Sequence, residues 1–381
     1  MTWTIKRLRH LVDLNPPVRA DLLAAQDTEV SFLPMEAIGE DGSLSLERTR
    51  PVAEVRNGYS YFENGDIGFA KVTPCFENGK GALMRDLQFG AGFGTTELTV
   101  LRPKGGTNAR FLNYVIQSEL FRQTGAGAMT GAGGLKRVPD DFTRDFKTPW
   151  PIPGEQERIV NFLDAQTARI DALIAEKARL CNLLEELDKE TLHTEIIPSD
   201  KPLSKLKFIA KIGSGEATSD SFDKYTGEYP VFGSNGQIGR GAEWNYEVDT
   251  VVVGRVGSCG AVTLLSEKAW VSDNALTVIP TSRISPAFLS LAIEALNLGA
   301  IAAGTAMPLI TGTMLKNQKI WVPSLEEQNR VALNFNKKRQ TIRKLMDYAK
   351  TESSRLCEYR SSLISAAVTG QLDIDSYKEE Q

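Results

Sequence analysis

Cysteine and histidine are scarce in this sequence. It has only four cysteines, none of them in a Cys-x-x-Cys pair, and only two histidines, His10 and His193. A set this small and scattered disfavours both a zinc site and a disulfide framework. It is typical of a reducing compartment, and we expect a cytoplasmic protein. Acid–base catalysis by histidine is disfavoured too, because the two histidines lie in unrelated contexts.

Long apolar runs and a strong charge excess are also missing. The longest weakly polar run, residues 288–304, is interrupted by Glu294 and Asn297 and falls short of a membrane span. No apolar segment follows the first residues, so we expect no signal peptide. The net charge of the 381 residues is only −4. A nucleic-acid-binding surface would therefore have to come from local clusters of basic residues.

Cofactor-binding and catalytic motifs are absent or incomplete. The run Gly125-Ala-Gly127 has a threonine where the third glycine of a dinucleotide loop would stand, and no phosphate-loop motif occurs. Asn15-Pro16-Pro17 resembles the Asn-Pro-Pro-aromatic motif by which adenine methyltransferases hold a flipped base. The next residue is Val18, which provides no stacking surface. We interpret the motif as a turn that ends a short helix beginning near Lys6, because proline cannot continue the helical hydrogen bonds.

An internal repeat is the main organising feature. The stretch from Trp150, Trp-Pro-Ile-Pro-Gly-Glu-Gln-Glu-Arg-Ile, recurs near Trp321 at a shift of 172 residues (323 − 151). Its Pro-x-x-x-Glu-Gln-x-Arg start opens a long helical pattern in both copies. The segments before the two copies also share a plan, with strand-like pieces, a helix and a glycine-rich stretch. The chain therefore reads as a tandem duplication of domain and helix, with domains at 1–150, 151–199, 200–322 and 323–381.

The first domain is predicted to be mixed α/β with many turns. Its strand-like pieces are rich in β-branched and aromatic residues and are separated by glycine and asparagine turns. They cover residues 30–33, 59–62, 66–70, 80–84 and 96–101. A helix is predicted at 109–123, with Phe111, Leu112, Val115, Ile116 and Leu120 on its buried face.

Both helical copies carry apolar residues at alternating spacings of four and three. The pattern predicts seams that pack against another helix. The seam of the first copy is predicted to include Ile159, Leu163, Ile170, Leu173, Leu180, Leu184 and Leu187, and that of the second Val331, Phe335, Ile342, Leu345, Leu356, Tyr359 and Leu363. About forty residues of helix would be roughly 60 Å long. We expect the copies to pack as an antiparallel coiled coil with the two domains at opposite ends; two helices that each pack on their own domain remain the alternative.

Several loops are rich in residues that contact phosphates and base edges. Glycines allow close approach of the backbone, lysine and arginine suit phosphate or guanine, and asparagine and glutamine suit adenine. The candidate DNA-binding residues are Lys71, Thr73, Asn78, Lys80, Thr130, Lys136 and Arg137 in the first domain, and Ser234, Asn235, Gln237, Arg240, Arg255, Ser258 and Asn274 in the second. By composition alone the same loops would also pass as solvated turns.

Taken together, these residues resemble the specificity (S) subunit of type I restriction-modification enzymes over essentially the whole chain. The resemblance lies in residues 71–82, 229–236 and 272–275, in the repeated Pro-x-x-x-Glu-Gln-x-Arg start, and in residues 366–372 at the end of the last helix. It implies an α+β fold with two target recognition domains, each reading one half of a bipartite asymmetric DNA site. The two conserved long helices, packed as an antiparallel coiled coil with a pseudo-twofold internal repeat, would separate those domains.

The resemblance also implies the partners. Double-stranded DNA and two methyltransferase (modification) subunits would bind this chain, and restriction subunits would join through the latter. No catalytic residue, metal or cofactor is expected on this chain, since S-adenosylmethionine, ATP and magnesium belong to the partner subunits. The candidate residues for subunit binding or coiled-coil packing are Glu155, Gln156, Ile170, Leu173, Leu180, Leu184, Glu327, Gln328, Ile342, Leu345, Leu356 and Tyr359.

Two other functions remain open from the residues alone. A self-sufficient adenine methyltransferase would use Asn15-Pro16-Pro17, and a coiled-coil adaptor would bind proteins at its globular ends. A rigid helical spacer favours the DNA-reading function, because proteins with twofold symmetry read half-sites about one helical turn apart.

Overall fold

The computed structural model describes residues 3–132, 134–198, 200–217, 226–257, 259–302 and 309–377. The chain forms two compact units, one of residues 1–176 with 352–381 (unit 1) and one of residues 177–351 (unit 2). Each unit combines mixed sheets with half of each of two long helices. The predicted α+β class is confirmed.

Unit 1 contains twelve strands among its described residues, arranged in four small sheets. The strands are β1 (Thr4–Arg7), β2 (Val12–Leu14), β3 (Glu29–Leu33), β4 (Thr49–Pro51), β5 (Ser60–Glu63), β6 (Ile67–Ala70), β7 (Gly81–Leu83), β8 (Ala91–Gly94), β9 (Leu98–Pro103), β10 (Thr130–Ala132), β11 (Leu135–Arg137) and β12 (Lys147–Trp150). Two four-stranded sheets have the orders β2-β9-β6-β7 and β4-β3-β8-β5, and two pairs are β1-β12 and β10-β11. All five predicted strands are present, whereas β1, β2, β4, β8 and β10 to β12 were missed.

The helices of unit 1 pack against its sheets. They are α1 (Ala20–Ala24), α2 (Val52–Val55), α3 (Ala109–Gln117), α4 (Glu119–Ala128), α5 (Asp140–Asp145) and the long α6 (Pro153–Ile196), of which the first half lies in this unit. Asn108 caps α3 by accepting from the backbone N–H groups of Arg110 and Phe111. The largest apolar cluster joins α3, α4 and the start of α6 around the fully buried Phe111 and Phe121.

Two predictions for this domain are wrong. Residues 6–12 do not form a helix, because β1 pairs with β12 and only Leu8–His10 makes one 3₁₀ turn before β2. The helix predicted at 109–123 is broken at Ser118, whose extended backbone ends α3 and whose hydroxyl caps α4 by accepting from the N–H of Phe121. The break rotates the second half, so Leu120 is exposed.

Unit 2 repeats the sheet plan of unit 1. Its strands are β13 (Leu203–Lys205), β14 (Ala210–Ser214), β15 (Tyr229–Gly233), β16 (Gly236–Gly241), β17 (Val251–Gly254), β18 (Val262–Leu264), β19 (Trp270–Val271), β20 (Ala275–Pro280) and β21 (Lys319–Trp321). The pair β13-β21 corresponds to β1-β12, and the sheet β14-β20-β17-β18 corresponds to β2-β9-β6-β7. The duplication read from the sequence is therefore present in the strand topology.

The helices of unit 2 are α7 (Pro286–Ala295), α8 (Leu298–Ala302), α9 (Gly312–Asn317) and the first half of the long α10 (Leu325–Thr369), with the second half of α6. Their apolar residues pack with β14, β17 and β20 around the fully buried Phe288 and Phe335. Of the predicted counterpart of the glycine-rich stretch, residues 304–313, the first half (304–308) lies outside the described residues. In the part of the chain that the structure describes, no helix is long and apolar enough to cross a membrane.

The two long helices pair antiparallel within each unit. In unit 1, Arg360 of α10 binds Asp171 of α6, with Nε 2.8 Å from Oδ1. In unit 2, Arg339 binds Asp188, and Cys181 lies 3.9 Å from the carbonyl oxygen of Met346. Residue numbers fall on one helix as they rise on the other, as antiparallel packing requires.

The predicted seam is right at one position of each heptad and wrong at the other. Ile170, Leu184, Ile342 and Leu363 are buried and Leu356 is half-buried, as predicted. The alternate positions are shifted by one residue in both helices: Leu173, Leu180, Leu187, Leu345 and Tyr359 are exposed, while the residues that follow them are half-buried.

Polar side chains occupy several of the true seam positions. Arg339 is 9% exposed and binds two carboxylates, with Nη2 2.9 Å from Oδ2 of Asp188 and Nη1 2.9 Å from Oε2 of Glu294 in α7. Burial lowers the pKa of Arg339, but the hydrogen bonds to Glu294 and Asp188 outweigh it, and the pKa lies above its ordinary value. Because a buried cation needs such partners, the triad fixes how α6, α7 and α10 pack.

Candidate nucleic-acid interface

Five of the candidate residues of the first domain come together at the β10-β11 hairpin, namely Lys71, Thr73, Thr130, Lys136 and Arg137. The N–H of Thr73 donates to the carbonyl oxygen of Lys136 at 3.0 Å, and the N–H of Val138 donates to that of Lys71 at 2.8 Å. Val72 forms a bridge with Arg137. Residues on both strands of the hairpin are exposed. A two-stranded ribbon of this kind fits the major groove of DNA, and its base joins the loop that carries Lys71.

Arg137 is held in place by an acidic neighbour. Its Nε and Nη2 lie 2.8 and 2.6 Å from the two carboxylate oxygens of Glu97. The hydrogen bonds from Arg137 hold the pKa of Glu97 below its ordinary value. Such a bidentate pair fixes the plane of the guanidinium, and half of the Arg137 side chain remains exposed to meet a further acceptor.

Thr130 and the two other first-domain candidates differ in their exposure and in their hydrogen bonds. Thr130 lies opposite Arg137 in the hairpin and is exposed. Asn78 is exposed, but its Nδ2 donates to Oε1 of Glu40 at 2.9 Å. The ammonium of Lys80 donates to the carbonyl oxygen of Met35 at 3.2 Å and is half-buried. Lys80 therefore anchors its loop to the preceding segment.

Three loops of the second domain converge on Ser234, Arg255 and Asn274. The hydroxyl of Ser234 donates to the carbonyl oxygen of Asn274 at 2.6 Å, and the N–H of Arg255 donates to the same oxygen at 3.1 Å. The N–H of Val256 donates to the Ser234 hydroxyl at 3.3 Å. These bonds set the backbone of the loops and leave the Asn274 amide exposed. Arg255 is half-buried, and its Nε is buried without a hydrogen-bond partner among the described residues. The adjacent loops thus carry a cation and an amide, the residue types that read guanine and adenine edges.

The remaining candidates of this domain lie on the β15-β16 hairpin. Asn235 and Gln237 are exposed near its turn, and Nε2 of Gln237 donates to the carbonyl oxygen of Gly239 at 3.2 Å. Arg240 donates to the carbonyl oxygens of Gly227 and Glu228, which ties the hairpin to the preceding segment. Ser258 lies outside the described residues.

Gly254 lets two of these loops touch. A methyl group on its Cα would lie 1.9 Å from the carbonyl oxygen of Ser234. We expect Gly254→Ala to lower the free energy of unfolding by about 2 kcal/mol, because the backbone must move to relieve the overlap. Thermal unfolding of the whole chain measures the loss. The matched control is Gly213→Ala, whose methyl group would lie 3.4 Å from Oγ1 of Thr277. Equal unfolding midpoints for the two variants would contradict the expectation.

Exposed aromatic residues with stacked cations were missed by the sequence reading. The Lys268 ammonium lies 3.9 Å from the ring centroid of Trp244, and the Arg19 guanidinium lies 5.7 Å from that of Phe89. Phe89 is exposed and has a positive φ of 55°. Aromatic residues at turns, Phe89 in Leu-Gln-Phe-Gly and Trp244 in Glu-Trp-Asn, are the only sequence signal for these pairs, which are available for stacking on bases.

Asn15 does not end a helix. It follows β2 with a φ of 50°, and its Oδ1 accepts from the N–H of Val100 at 3.0 Å. Its Nδ2 donates to Asp140 at 3.4 Å. The amide that a methyltransferase would direct at a base is therefore committed to holding β2 against its neighbours.

The glutamines that open the long helices are structural. Gln156 is 1% exposed and donates to the carbonyl oxygen of Pro151 at 2.8 Å. Gln328 is fully buried, donates to the carbonyl oxygens of Pro323 and Arg283, and accepts from the N–H of Ser285 at 2.7 Å. The interpretation of both amides as subunit contacts is wrong, because neither reaches the surface. Glu155 and Glu327, one residue earlier, are half-buried at the helix starts.

The exposed residues beside the seam form two matching apolar pairs. Leu173 and Tyr359 lie in unit 1, and Leu187 and Leu345 lie in unit 2, each 45–48% exposed. All four precede a seam residue, and in antiparallel helices equivalent flanking positions lie on the same side of the pair. The repeat relates Leu173 to Leu345 and Leu187 to Tyr359, since both differ by 172 (345 − 173 and 359 − 187). Each unit thus presents one copy of the same apolar surface, the flanking pair.

Metal-binding geometry is not found in the described ranges, where no three His, Cys, Asp or Glu side chains are grouped to hold an ion. The four cysteines are free thiols.

Comparison with known proteins finds similarity to type I restriction enzyme specificity subunits over part of the chain. Residues 198–339 match the type I restriction modification DNA specificity domain. The specificity subunit of the type I restriction enzyme EcoAI of Escherichia coli is 40% identical over 161 residues, which cover 42% of this chain and 27% of that protein. For the EcoEI specificity subunit of the same species the identity is 38%, over 42% of this chain and 26% of that protein. The matches thus span about a quarter of the length of these curated relatives.

Solved structures share the fold over nearly the full chain. A chain from a structure that addresses complex assembly and conformational transition of the type I R-M system has a TM-score of 0.80 at 18% identity, over 97% of this chain and 98% of the other. The HsdS subunit from Thermoanaerobacter tengcongensis has a TM-score of 0.55 at 18% identity, over 97% of both chains. Residues 198–339 thus match the type I restriction modification DNA specificity domain, and over nearly its whole length the chain is similar in fold to these solved structures.

Proposed function

We propose that this chain is the non-catalytic DNA-reading subunit of a type I restriction-modification complex. One observation carries the proposal: the chain repeats one domain-and-helix plan, and each copy brings several of its candidate DNA-binding residues onto loops that are joined by hydrogen bonds. Each recognition domain reads one half of a bipartite site. The half-sites differ in sequence, because the loops of the two domains differ.

Direct readout is assigned to the exposed ends of these loops. In the first domain the β10-β11 hairpin enters the major groove with Lys136 and Arg137. In the second, Arg255 and Asn274 meet base edges or phosphates from adjacent loops. Arginine favours guanine and asparagine favours adenine, whereas the serine and threonine hydroxyls contact either bases or phosphates.

The long helices dock two methyltransferase subunits. Each unit offers one flanking pair, Leu173 with Tyr359 or Leu187 with Leu345, as the apolar centre of a docking surface. Two copies of one surface suit two copies of one partner. Restriction subunits join through the methyltransferases, which also carry S-adenosylmethionine; ATP and magnesium belong to the partner subunits as well.

Genomic methylation provides the direct test. A host that expresses this chain with its methyltransferase partner should acquire adenine methylation at a bipartite motif with a fixed spacer. A host that receives the partner alone is the control. Methyl transfer by this chain alone would instead support a methyltransferase centred on Asn15, and the absence of any DNA footprint with all subunits present would support a protein-binding adaptor.

Arg255→Ala and Lys71→Ala are expected to weaken DNA binding by the assembled complex. If the side chain contacts a base, discrimination at one base position should fall by about 1–3 kcal/mol. If it contacts a phosphate, binding to all sequences should weaken alike, and the slope of log affinity against log salt concentration should become shallower by about one unit. Binding to the methylated motif and to single-base variants, titrated over salt concentration, separates the two cases. Arg343→Ala, an exposed residue of α10, is the control. Unchanged affinity and methylation pattern in both variants would exclude these two residues as DNA contacts.

A further inference from the structure

Two loops of the first recognition domain are joined to each other. Loop 39–43 and loop 73–80 meet where Nδ2 of Asn78 donates to Oε1 of Glu40 at 2.9 Å. Loop 73–80 carries Thr73, Asn78 and Lys80, three of the candidate DNA contacts. The position of loop 39–43 therefore influences the position of loop 73–80.

Arg360 connects the first of these loops to the long helices. Its Nη2 donates to the carbonyl oxygen of Asp41 at 3.3 Å. The same guanidinium binds Asp171 of α6, with Nε 2.8 Å from Oδ1 and Nη2 3.3 Å from Oδ2. The Arg360 side chain is 16% exposed and occupies a seam position of α10. The planar, pre-organised side chain of Arg360 thus links its own helix α10 both to α6 and to the backbone of loop 39–43.

Arg122 makes the corresponding connection to the second loop. Its Nη2 donates to the hydroxyl of Ser361 on α10 at 2.5 Å. A methyl group on Gly79 would lie 2.9 Å from Nη1 of Arg122, so the loop backbone rests directly on the guanidinium. The N–H of Glu119, at the start of the same helix α4, donates to the hydroxyl of Ser365 at 2.8 Å. Helix α4 is therefore fixed to α10 beside the loop it supports.

We propose that Arg360 and Arg122 are positioning residues for half-site recognition by the first domain. They hold loops 39–43 and 73–80 against α10, so this helix pre-organises loop 73–80 for DNA reading. The same helix carries the exposed Tyr359 of the docking surface. Neither side chain needs to contact DNA for this role. The proposal rests on the DNA-reading function proposed above.

We expect substitution of Arg360 to lower base discrimination in one half-site and not in the other. In the complex with its methyltransferase partner, Arg360→Gln should lower discrimination against base changes in one half-site by about tenfold, the effect of losing one charge-assisted hydrogen bond. Discrimination in the other half-site should stay as in the wild type. Arg360→Lys keeps a cation beside Asp171 but lacks the fork that also reaches Asp41, and it should show the same selective loss. Binding of duplexes with single changes in each half-site measures both.

Controls separate positioning from folding and from the proposed function itself. Arg343→Gln, an exposed arginine of the same helix, should leave both half-sites unaffected. Ser361→Ala removes only the Arg122 contact and should give a smaller loss in the same half-site. Equal losses in both half-sites, or no loss in either, for Arg360→Lys would overturn the positioning role. Absence of any sequence preference in the wild-type complex would instead overturn the DNA-reading function.

Discussion

Arg339→Met is expected to lower the free energy of unfolding of unit 2 by about 3 kcal/mol, the lower end of the range for breaking a buried ion pair. The substitution leaves Asp188 and Glu294 without the cation that binds both of them. Both carboxylates retain some exposure to water, 22% and 38% of their side chains, which moderates the loss. Hydrogen exchange of the amides of α7 and of the first half of α10 measures the local opening free energy.

The control for this substitution is Arg343→Met on the exposed surface of the same helix, which should change the opening free energy by less than about 0.5 kcal/mol. Replacing Arg339, Asp188 and Glu294 together by apolar residues should recover most of the stability, because no buried charge is then left without a partner. If the amides of α7 exchanged as slowly in the Arg339→Met variant as in the wild type, the triad of Arg339, Asp188 and Glu294 would have no part in holding α7 against the helix pair.

The seam of the long helices shows how far apolar spacing alone leads. Two registers fit the spacing of four and three, and they share Leu163, Ile170 and Leu184. The register with Leu173 and Leu180 has more apolar residues, so sequence reasoning chose it. The structure uses the other register, in which polar residues find partners. Asp188 pairs with Arg339 of the other long helix, while Thr167, Arg339 and Arg360 also bond Tyr114, Glu294 and Asp41 of the surrounding domains. Those partners are distant in sequence, and apolar periodicity contains no information about them.

The fold of the globular domains was predictable in outline and less so in detail. Five strands of the first domain and the repeat of its plan follow from local composition. The break at Ser118 depends on a single capping hydroxyl, and the helix predicted near Lys6 became strand because β12, far along the chain, pairs with it. Local propensity is easily overridden by such tertiary pairing.

Convergence of the candidate DNA contacts could be predicted only in part. Sequence reasoning chose loops by composition, and the structure joins Lys71 to the hairpin of Lys136 and Ser234 to the loops of Arg255 and Asn274. It could not foresee that Arg137 is paired with Glu97 or that Lys80 anchors its own loop. Composition identifies side chains able to bind DNA, whereas the fold decides which of them are already engaged.

Duplication explains why the two helices are complementary instead of alike. The shift of 172 residues relates Asp188 to Arg360, so one repeated position carries an acid in the first copy and a base in the second (360 − 188). Asp188 binds Arg339 in unit 2, and Arg360 binds Asp171 in unit 1. Two identical copies could not make either pair at that position. The charges thus favour pairing of the first copy with the second, while the flanking pairs keep the same apolar character in both units.

Leu173→Asp and Leu345→Asp are each expected to remove one of two docked methyltransferase subunits. Both leucines are nearly half exposed, so a carboxylate at either position stays hydrated in the isolated chain and the fold persists. In the docked complex the same carboxylate would be buried without a partner, at a cost that weakens binding by about 100-fold or more.

The number of methyltransferase subunits bound per chain distinguishes the variants. Because Leu173 belongs to the flanking pair of unit 1 and Leu345 to that of unit 2, each single variant should form a complex with one methyltransferase, and the double variant with none. Ala172→Asp and Gln340→Asp introduce the same charge at exposed positions away from the flanking pairs and should keep both partners. Light scattering of the purified complexes measures the mass. Two partners on either leucine variant, or loss of both from a single variant, would contradict the assignment of one docking surface to each unit.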